Sequence, residues 1–252
     1  MALYTVPRMT FANILSKYTK YIPAQGLVLD IGCGLGDLSR FVSDELGLTT
    51  VGLDVDVETS ILASNMTQSP TNFEVVLYNG KDFPFKNEAF DLAYAHEVIE
   101  HVDDDVFFLS EVWRILKKDG LFLVSTPNAS KEPFNPALYR DHVRHYTKPQ
   151  LIAKLRSANL SPIATYWRCH FLGARIDWML YRLGSQLIKT KQIQPTMSYW
   201  SHERQSKLTK FALQAYRYIV KPLIWVIVMA EFEIKKTRVE SANMVIVCKR
   251  LT

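Results

Sequence analysis

The sequence predicts an α/β protein in which helices cover a largely parallel sheet. Apolar stretches of strand length alternate with stretches whose apolar residues recur at helical spacing. The first strand ends on an acidic residue followed by three glycines at alternate positions, and the second strand ends on another acid 24 residues later. Because ligands of parallel sheets bind at the carboxyl ends of the strands, these two strand ends predict the binding site.

The individual elements follow from local patterns of apolar, turn-forming and capping residues. Strands are predicted at residues 27–31, 50–53, 73–77, 90–95, 120–125, 163–167 and 243–249. Helices are predicted at residues 9–20, from about 36, from about 57, and at 104–117 and 148–158. Asp103 is the predicted N-cap of the fourth helix, and Thr147 with Gln150 forms a capping box for the fifth.

The glycine loop separates two kinds of nucleoside-binding site. The run Asp30-Ile-Gly-Cys-Gly-Leu-Gly36 brings its third glycine one residue earlier than the dinucleotide fingerprint requires, and Asp37 stands where the last glycine of that fingerprint belongs. A pyrophosphate cradle is therefore disfavoured. Asp54, at the end of the second strand, can accept two hydrogen bonds from a ribose diol.

This pattern resembles the class I S-adenosylmethionine-dependent methyltransferases, the broad group that includes quinone-precursor and cell-envelope O-methyltransferases. Segments 78–85, 97–102 and 119–128 match the same family in the same order. The resemblance implies a Rossmann-like sheet of seven strands whose last strand is antiparallel, with S-adenosylmethionine as methyl donor. The cofactor-binding residues that it implies are Asp30, Gly32, Cys33, Gly34, Gly36, Asp54, Val55, Asn79, Gly80, Lys81 and His96.

The catalytic candidates are histidines on the loops that follow strands four and five. Methyl transfer from a sulfonium needs alignment of the acceptor, and a hydroxyl acceptor also needs a base or a metal. His96, His101 and His142 are the predicted catalytic residues. The segment 140–147 resembles an acceptor-side lid of the same family, whereas the simpler interpretation is a basic surface loop.

A divalent metal site is a further hypothesis. If residues 97–101 form a helical turn, Glu97, Glu100 and His101 point the same way, and His142 could be a fourth ligand. This arrangement is similar to small-RNA terminal 2′-O-methyltransferases, which hold a metal against a ribose diol. The alternative stays open, in which these histidines are plain bases or structural residues and no metal binds.

Charge and composition indicate the setting of the protein. Residues 1–130 contain 9 Lys and Arg against 18 Asp and Glu, whereas residues 131–252 contain 21 against 7. The basic half suits an anionic partner, although it is also compatible with a solvated surface. Three scattered cysteines favour a reducing, cytoplasmic compartment, and residues 1–22 show no signal-peptide pattern.

The chain is predicted to be a single domain, 1–252, with a helical substrate or cap insertion at 168–240. Two basic amphipathic helices are predicted within the insertion, followed by an apolar run at 222–230 that is too short to cross a bilayer. These helices suit contact with an anionic membrane surface, at the inner face of a membrane, or packing on the core or on a second subunit.

The predicted activity is O-methylation of a small-molecule or lipid-linked acceptor, such as a quinone precursor or an envelope glycan. Paired His and Glu near the methyl donor favour an oxygen acceptor over nitrogen or carbon. Two alternatives remain open from the sequence. One is an RNA ribose 2′-O-methyltransferase that uses a divalent metal and the basic half, and the other is a catalytically silent S-adenosylmethionine-binding or membrane-scaffold protein.

Overall fold

The computed structural model describes residues 6–65, 72–168, 175, 221–235 and 237–251. The strands in this part of the chain are β1 Leu27–Ile31, β2 Thr49–Asp54, β3 Phe73–Leu77, β4 Phe90–His96, β5 Leu116–Pro127, β6 Leu160–Arg168 and β7 Asn243–Arg250. The α-helices are α1 Val6–Thr19, α2 Asp37–Arg40, α3 Val57–Asn65, α4 Asp105–Ile115, α5 Lys148–Ser157 and α6 Lys221–Lys235. A π-helical turn, Phe41–Glu45, extends α2, and a 3₁₀ turn, Ile99–His101, follows β4.

The strands form one sheet in the order β3-β2-β1-β4-β5-β7-β6. Strands β1 to β5 pair in parallel, whereas β7 is antiparallel to both of its neighbours. The predicted seven-stranded α/β sheet with an antiparallel last strand is therefore confirmed. This order places the ends of β1, β2 and β4 side by side at one edge of the sheet, where the glycine loop begins.

Two apolar layers cover the sheet, and β1 contributes to both. Leu29 and Ile31 belong to the layer that α4 and α5 complete, whereas Val28 faces the layer formed with α1 and α6. These three side chains are fully buried, as the alternation of side chains along a strand requires when both faces are covered. The glycine loop therefore begins from a strand that is fixed on both sides.

The boundary between α4 and β5 differs from the prediction. The helix was predicted at 104–117, but it ends at Ile115 and β5 begins at once with Leu116, which pairs with Phe90 of β4. Lys117 contributes to this change because its Nζ lies 2.8 Å from Asp91 Oδ2. The N-cap is Asp104 rather than the predicted Asp103, since the Asp104 carboxylate accepts a hydrogen bond from the Phe107 amide at 2.9 Å.

The longest described stretch of the predicted insertion is α6, which packs beside α1. Met229 and Phe232 of α6 are buried in the second apolar layer, and Glu233 pairs with Lys17 of α1 at 2.6 Å. The two basic amphipathic helices predicted earlier in the insertion lie outside the described residues. Among the helices of the described segments, none is both long enough and apolar enough to cross a membrane.

Candidate functional site

The glycine loop after β1 contains three glycines with positive φ angles, and they have different neighbours. Gly32, Gly34 and Gly36 have φ values of 70°, 51° and 73°. A Cβ atom on Gly32 would lie 2.6 Å from the Val98 side chain, and one on Gly36 would lie 2.8 Å from the Phe73 ring. A Cβ atom on Gly34 would have no neighbour within 4 Å. Gly34 therefore leaves open the space that a ligand lying against the loop would need.

The carboxylate of Asp54 is fixed at the end of β2, beside the glycine loop. Its Oδ2 accepts a hydrogen bond from the Gly34 amide at 2.7 Å, and its Oδ1 accepts one from the Asp56 amide at 2.9 Å. A carboxylate offers about four lone-pair positions, so capacity remains for hydroxyl donors. The arrangement fits the expected contact with a ribose, because the acid is oriented by the same loop that leaves space at Gly34.

A cleft opens between this loop, the end of β4 and α1. The residues that line it are Arg8, Asp30, Gly32, Cys33, Asp37, Leu38 and His96. Arg8 was not predicted from the sequence, because it lies on the N-terminal helix and is brought to the loop by the fold, where its Nη1 lies 2.9 Å from Asp37 Oδ2. A cationic side chain and two carboxyl groups in one cleft fit the zwitterionic methionine end of S-adenosylmethionine.

Asp30 has an unusual environment within this cleft. It is almost fully buried, and the Ser39 hydroxyl donates a hydrogen bond of 2.6 Å to its Oδ2. Burial raises the pKa of Asp30 to about 7, because removal from water disfavours the charged form. Burial also raises the pKa of the Cys33 thiol. The Cys33 sulfur packs closely against Gly52, because a Cβ atom on Gly52 would lie only 2.7 Å from it. Cys33 is thus a small packing residue of the loop, present as a neutral thiol.

The predicted adenine-side segment lies against the end of β2. The Tyr78 amide donates to the Asp54 carbonyl at 3.0 Å, and a Cβ atom on Gly80 would lie 3.5 Å from Val55. Val55 is 55% exposed, which leaves an apolar side chain available next to Asp54. Two other predicted cofactor residues, Asn79 and Lys81, are exposed and form a local turn in which the Asn79 side-chain oxygen accepts a hydrogen bond from the Lys81 amide at 2.9 Å.

His96 lies at the end of β4 and lines the cleft, but its geometry does not suit a catalytic base. Arg168 Nη1 lies 3.0 Å from His96 Nε2. A guanidinium can only donate, so this ring nitrogen is the acceptor and its lone pair is occupied. The ring also packs edge-on against Phe11, with 4.7 Å between ring centroids. These contacts indicate that His96 is a structural residue that lines the cleft.

Glu97 does not take the place predicted for a metal ligand. Its φ angle is 56°, so the chain is not helical there, and the single 3₁₀ turn spans Ile99–His101 instead. The Glu97 carboxylate pairs with the fully buried Arg168, accepts a hydrogen bond from the Ser125 hydroxyl at 2.9 Å and another from the Asn243 amide nitrogen at 3.0 Å. Glu97 is therefore held by Arg168, which lies 71 residues further along the chain, and it is not part of the metal-ligand group found among the described residues.

Glu100, His101 and His142 do come together. One ligand atom from each lies within 4.8 Å of the other two, and the rings of the two histidines are 4.6 Å apart between centroids. Glu100 is fully buried, and neither of its carboxyl oxygens has a hydrogen-bond partner within the described part of the chain. Burial, and then the negative charge of Glu97, raise the pKa of Glu100 to about 8. This cluster can accept a proton or hold a cation.

The loop that carries His142 is held against α4 by Asp105. The buried Asp105 pairs with Arg144 and with Lys154 at 2.8 Å each, and it accepts a hydrogen bond from the Tyr146 hydroxyl at 2.7 Å. The Val143 amide also donates to the Glu100 carbonyl at 2.7 Å. The loop predicted as a lid is therefore held in place beside the turn that carries Glu100 and His101.

The sheet order, the glycine loop and Asp54 support the predicted class, the class I S-adenosylmethionine-dependent methyltransferases. Residues 29–124 match a family model described as "Methyltransferase domain". This match identifies the region from β1 to β5, which builds the site described above, as a methyltransferase domain.

Relatives and solved structures agree with this assignment. A ubiquinone biosynthesis O-methyltransferase of Cereibacter sphaeroides is 31% identical over 157 residues, which cover 56% of this chain and 63% of that protein. A 2-methyl-6-phytyl-1,4-hydroquinone methyltransferase of Synechocystis is 25% identical over 107 residues, 42% of this chain and 34% of that protein. The chain thus spans less than two thirds of the length of these relatives. The fold is similar to that of geranyl diphosphate C-methyltransferase from Streptomyces coelicolor, with a TM-score of 0.60, 15% identity, and coverage of 96% of this chain and 80% of that chain.

Proposed function

We propose that the protein transfers the methyl group of S-adenosylmethionine to a hydroxyl oxygen of an amphiphilic acceptor, a prenylated phenol or a lipid-linked glycan. The observation that carries the proposal is the cluster of Glu100, His101 and His142, which brings three proton-accepting groups together on the turn after β4 and the loop after β5. A hydroxyl is a poor nucleophile until it loses its proton, and it is the acceptor type that needs such a cluster most.

The cofactor side of the cleft provides the contacts that the methyl donor requires. We assign the ribose to the Asp54 carboxylate, the methionine end to Arg8 and Asp30, and the close approach to the backbone to Gly34. When bound, S-adenosylmethionine supplies a methyl group on a sulfonium, so that the leaving sulfur departs neutral. The protein therefore has to orient the acceptor and remove its proton, and it has no leaving group to protonate.

The acceptor side removes the proton. In the proposed reaction the acceptor hydroxyl gives its proton to the Nε2 atom of His142 or His101, the oxygen forms a bond to the methyl carbon, and the carbon–sulfur bond breaks. Glu100 has a ligand atom within 4.8 Å of one on each histidine, and because its pKa is raised to about 8 it is largely neutral near pH 7, so the proton stays on the imidazole. The His142 loop is held by Asp105, which keeps this geometry without a large conformational change.

Three observations support an amphiphilic acceptor. Two relatives carry names that refer to ubiquinone biosynthesis and to a phytylated hydroquinone, both of which concern molecules with a polar ring and an apolar tail. The second half of the sequence is strongly basic, with 21 Lys and Arg against 7 Asp and Glu. Helix α6 exposes Val226, Ile227 and Ile234 at 57%, 46% and 69%. Cationic and apolar groups together suit the surface of an anionic membrane, from which such an acceptor would be taken.

The activity is tested by transfer of a radioactive methyl group from S-adenosylmethionine to three acceptors. The acceptors are a prenylated ortho-diphenol in detergent micelles, a lipid-linked oligosaccharide and a short RNA duplex. We expect labelled product with one of the two amphiphiles. Exclusive labelling of RNA would replace the proposal with an RNA methyltransferase, and binding of S-adenosylhomocysteine without any product would indicate a silent nucleoside-binding protein.

The base is tested in the same assay with His142→Gln and His101→Gln. Loss of a general base lowers turnover by about 100-fold to 10,000-fold, whereas the KM for S-adenosylmethionine should change less than about twofold. Glu88→Gln is the control, because Glu88 lies before the amino end of β4, away from the site, and pairs with Arg250. Equal turnover in the wild type and in both histidine variants would contradict the proposed role.

Membrane contact is tested by sedimentation with vesicles. We expect the protein to sediment with phosphatidylglycerol vesicles at low ionic strength, to be released by salt, and to bind phosphatidylcholine vesicles less well. Equal recovery in the supernatant with both kinds of vesicle would contradict the membrane-surface part of the proposal and leave the acceptor assignment to the transfer assay.

A second candidate is a metal-assisted form of the same reaction. It is favoured by the buried carboxyl of Glu100, which has no hydrogen-bond partner among the described residues although it lies within 4.8 Å of ligand atoms on two histidines. A carboxylate and two imidazoles suit a divalent cation, which would lower the pKa of a bound hydroxyl. Glu100, His101 and His142 would hold this cation, and the protein would then need no separate base.

Cation binding is measured directly with Mn²⁺ by electron paramagnetic resonance, without any acceptor. The metal-assisted form predicts binding by the wild type, loss of binding in Glu100→Gln and retained binding in Glu97→Gln, because Glu97 is held by Arg168. Absence of bound Mn²⁺ in the wild type, with activity retained in chelator, would leave the plain base as the mechanism.

A further inference from the structure

A chain of hydrogen bonds runs from His142 through His145 to the main chain. His142 Nδ1 lies 2.8 Å from His145 Nε2, and His145 Nδ1 lies 2.7 Å from the carbonyl oxygen of Glu132. A carbonyl oxygen can only accept, so the hydrogen of this last bond belongs to His145 Nδ1. The far end of the chain is therefore fixed, and it determines where every other hydrogen in the chain lies.

The positions of the remaining hydrogens follow from the chemistry of a neutral imidazole. A neutral ring carries one hydrogen, so the Nε2 atom of His145 is bare and accepts the hydrogen of His142 Nδ1. His142 must then leave its own Nε2 atom without a hydrogen. His145 is only 8% exposed, and its two hydrogen-bond partners are a carbonyl and an imidazole.

Aromatic packing holds the rings of His142 and His145 in these positions. The Tyr139 ring stacks on His142 with centroids 5.1 Å apart and lies edge-on to His145 at 4.7 Å, and Phe134 covers His145 at 5.5 Å. The Tyr139 hydroxyl donates to the side chain of Glu132, the residue whose carbonyl ends the hydrogen-bond chain. Tyr139, whose ring packs on the histidines, is thus hydrogen-bonded to Glu132, whose carbonyl accepts the hydrogen of His145.

His101 follows the same rule through a different carbonyl. Its Nδ1 lies 2.7 Å from the carbonyl oxygen of Asp141, which directly precedes His142 in the chain. The hydrogen of His101 is therefore on Nδ1, and its Nε2 is bare as well. Two main-chain carbonyls thus leave two Nε2 atoms without a hydrogen. The Asp141 carbonyl accepts the hydrogen of His101 directly, and the Glu132 carbonyl fixes the hydrogen of His142 through His145.

We propose that His145 is a positioning residue that keeps the hydrogen of His142 on Nδ1 and so leaves His142 Nε2 free to accept a proton or a cation. The inference rests on the proposed function, in which His142 Nε2 meets the acceptor. The opposite tautomer would present a hydrogen on Nε2, and such a nitrogen can neither take a proton nor ligate a metal. Loss of a residue that sets a catalytic tautomer can lower activity severely even when the geometry is kept.

The tautomer is read by two-bond ¹H–¹⁵N correlation spectra of protein labelled at histidine, with S-adenosylhomocysteine bound and at a pH above the titration of the imidazoles. His142→Gln identifies the signals of His142 by their loss. We expect His142 and His101 in the wild type to carry their hydrogen on Nδ1. A wild-type His142 with its hydrogen on Nε2 overturns the proposal.

Two substitutions of His145 separate its hydrogen bonds from its packing. In His145→Gln the amide can donate to the Glu132 carbonyl and its oxygen can accept from His142 Nδ1, so the tautomer should be kept. In His145→Phe the ring volume stays but the acceptor is lost, so His142 should show a mixture of tautomers, and methyl transfer to the prenylated diphenol should fall by about 10-fold to 100-fold. Retention of the Nδ1 hydrogen in His145→Phe contradicts the proposal.

Affinity for S-adenosylhomocysteine, measured by calorimetry, shows that each variant is folded, and Tyr139→Phe is the matched control because it should leave the tautomer unchanged. Failure of the proposed function gives a different pattern from failure of this inference. If His142 is not the base, His142→Gln keeps full turnover while the tautomer pattern still follows His145. If His145 does not set the tautomer, turnover depends on His142 while the tautomer is the same in His145→Phe.

Discussion

The two sides of the cleft are built in different ways. The cofactor side comes from short segments that directly follow β1 and β2, and it uses backbone amides, an open glycine and one carboxylate. The acceptor side comes from side chains on the turn after β4 and on the loop after β5, which are joined through Asp105 and through main-chain carbonyls. A site built from backbone is therefore recognisable in a short stretch of sequence, whereas a site built from side chains depends on partners far along the chain.

The largest expected effect concerns two glutamates in ion pairs, Glu97 beside the site and Glu88 away from it. Glu97→Gln should lower the free energy of unfolding by about 3 kcal/mol, because it leaves the charge of the fully buried Arg168 without its counter-ion. Chemical denaturation measures this loss. Glu88→Gln breaks the ion pair with Arg250 at a carboxylate that is 57% exposed, and it should cost less than about 1 kcal/mol. Equal stability of the two variants would contradict the structural role assigned to the pair of Glu97 and Arg168.

Two glycines of the same loop give the next effect. Gly36→Ala should destabilise the fold by about 2 to 4 kcal/mol, since its Cβ would lie 2.8 Å from the Phe73 ring and its φ angle is positive. Gly34→Ala should cost only the backbone strain, about 1 kcal/mol, but should weaken binding of S-adenosylhomocysteine by at least about tenfold because its methyl group enters the open space. Thermal unfolding and calorimetry distinguish these two results. Binding of the nucleoside by Gly34→Ala as tightly as by the wild type would contradict a ligand lying against Gly34.

A smaller effect is a pH dependence that arises on the cofactor side. The folded-state pKa of Asp30 is raised to about 7, above the value of about 4 expected in the unfolded chain. Between these values the folded state binds more protons than the unfolded state, so the contribution of Asp30 to stability is full below about pH 4 and is lost as pH rises toward 7. Asp30→Asn removes this pH-dependent contribution to the free energy of unfolding. Urea denaturation at pH 5 and pH 8 should therefore show a smaller decrease in the variant than in the wild type, and identical decreases would contradict the assignment.

Much of the fold and of the cofactor side could be predicted from the sequence. The bounds of β1, which is buried on both faces, and of β3, the partly exposed edge strand, agree with the apolar runs that predicted them. The boundary of α4 was wrong because the pairing of Leu116 with Phe90 and the contact of Lys117 with Asp91 are tertiary interactions. No local pattern reveals them.

The acceptor side shows the limit of local prediction more clearly. The expected helical turn at Glu97 required helical backbone at that residue, but its φ angle of 56° and its partner Arg168 change the direction of the side chain. Arg8 carried no local signal either, because its place in the cleft depends on how α1 packs on the sheet. Glu100, His101 and His142 were predicted as candidates from their residue types and from the strand ends they follow, and the structure brings these three together.

The most direct test of the division between the two sides is calorimetric titration of S-adenosylhomocysteine into three proteins. Asp54→Asn should bind the nucleoside about 10-fold to 100-fold more weakly than the wild type, because it removes charge-assisted hydrogen bonds to the ribose. His142→Gln should bind with the affinity of the wild type, because His142 acts on the acceptor. Unchanged affinity in Asp54→Asn, or a loss in His142→Gln as large as that expected for Asp54→Asn, would contradict the account.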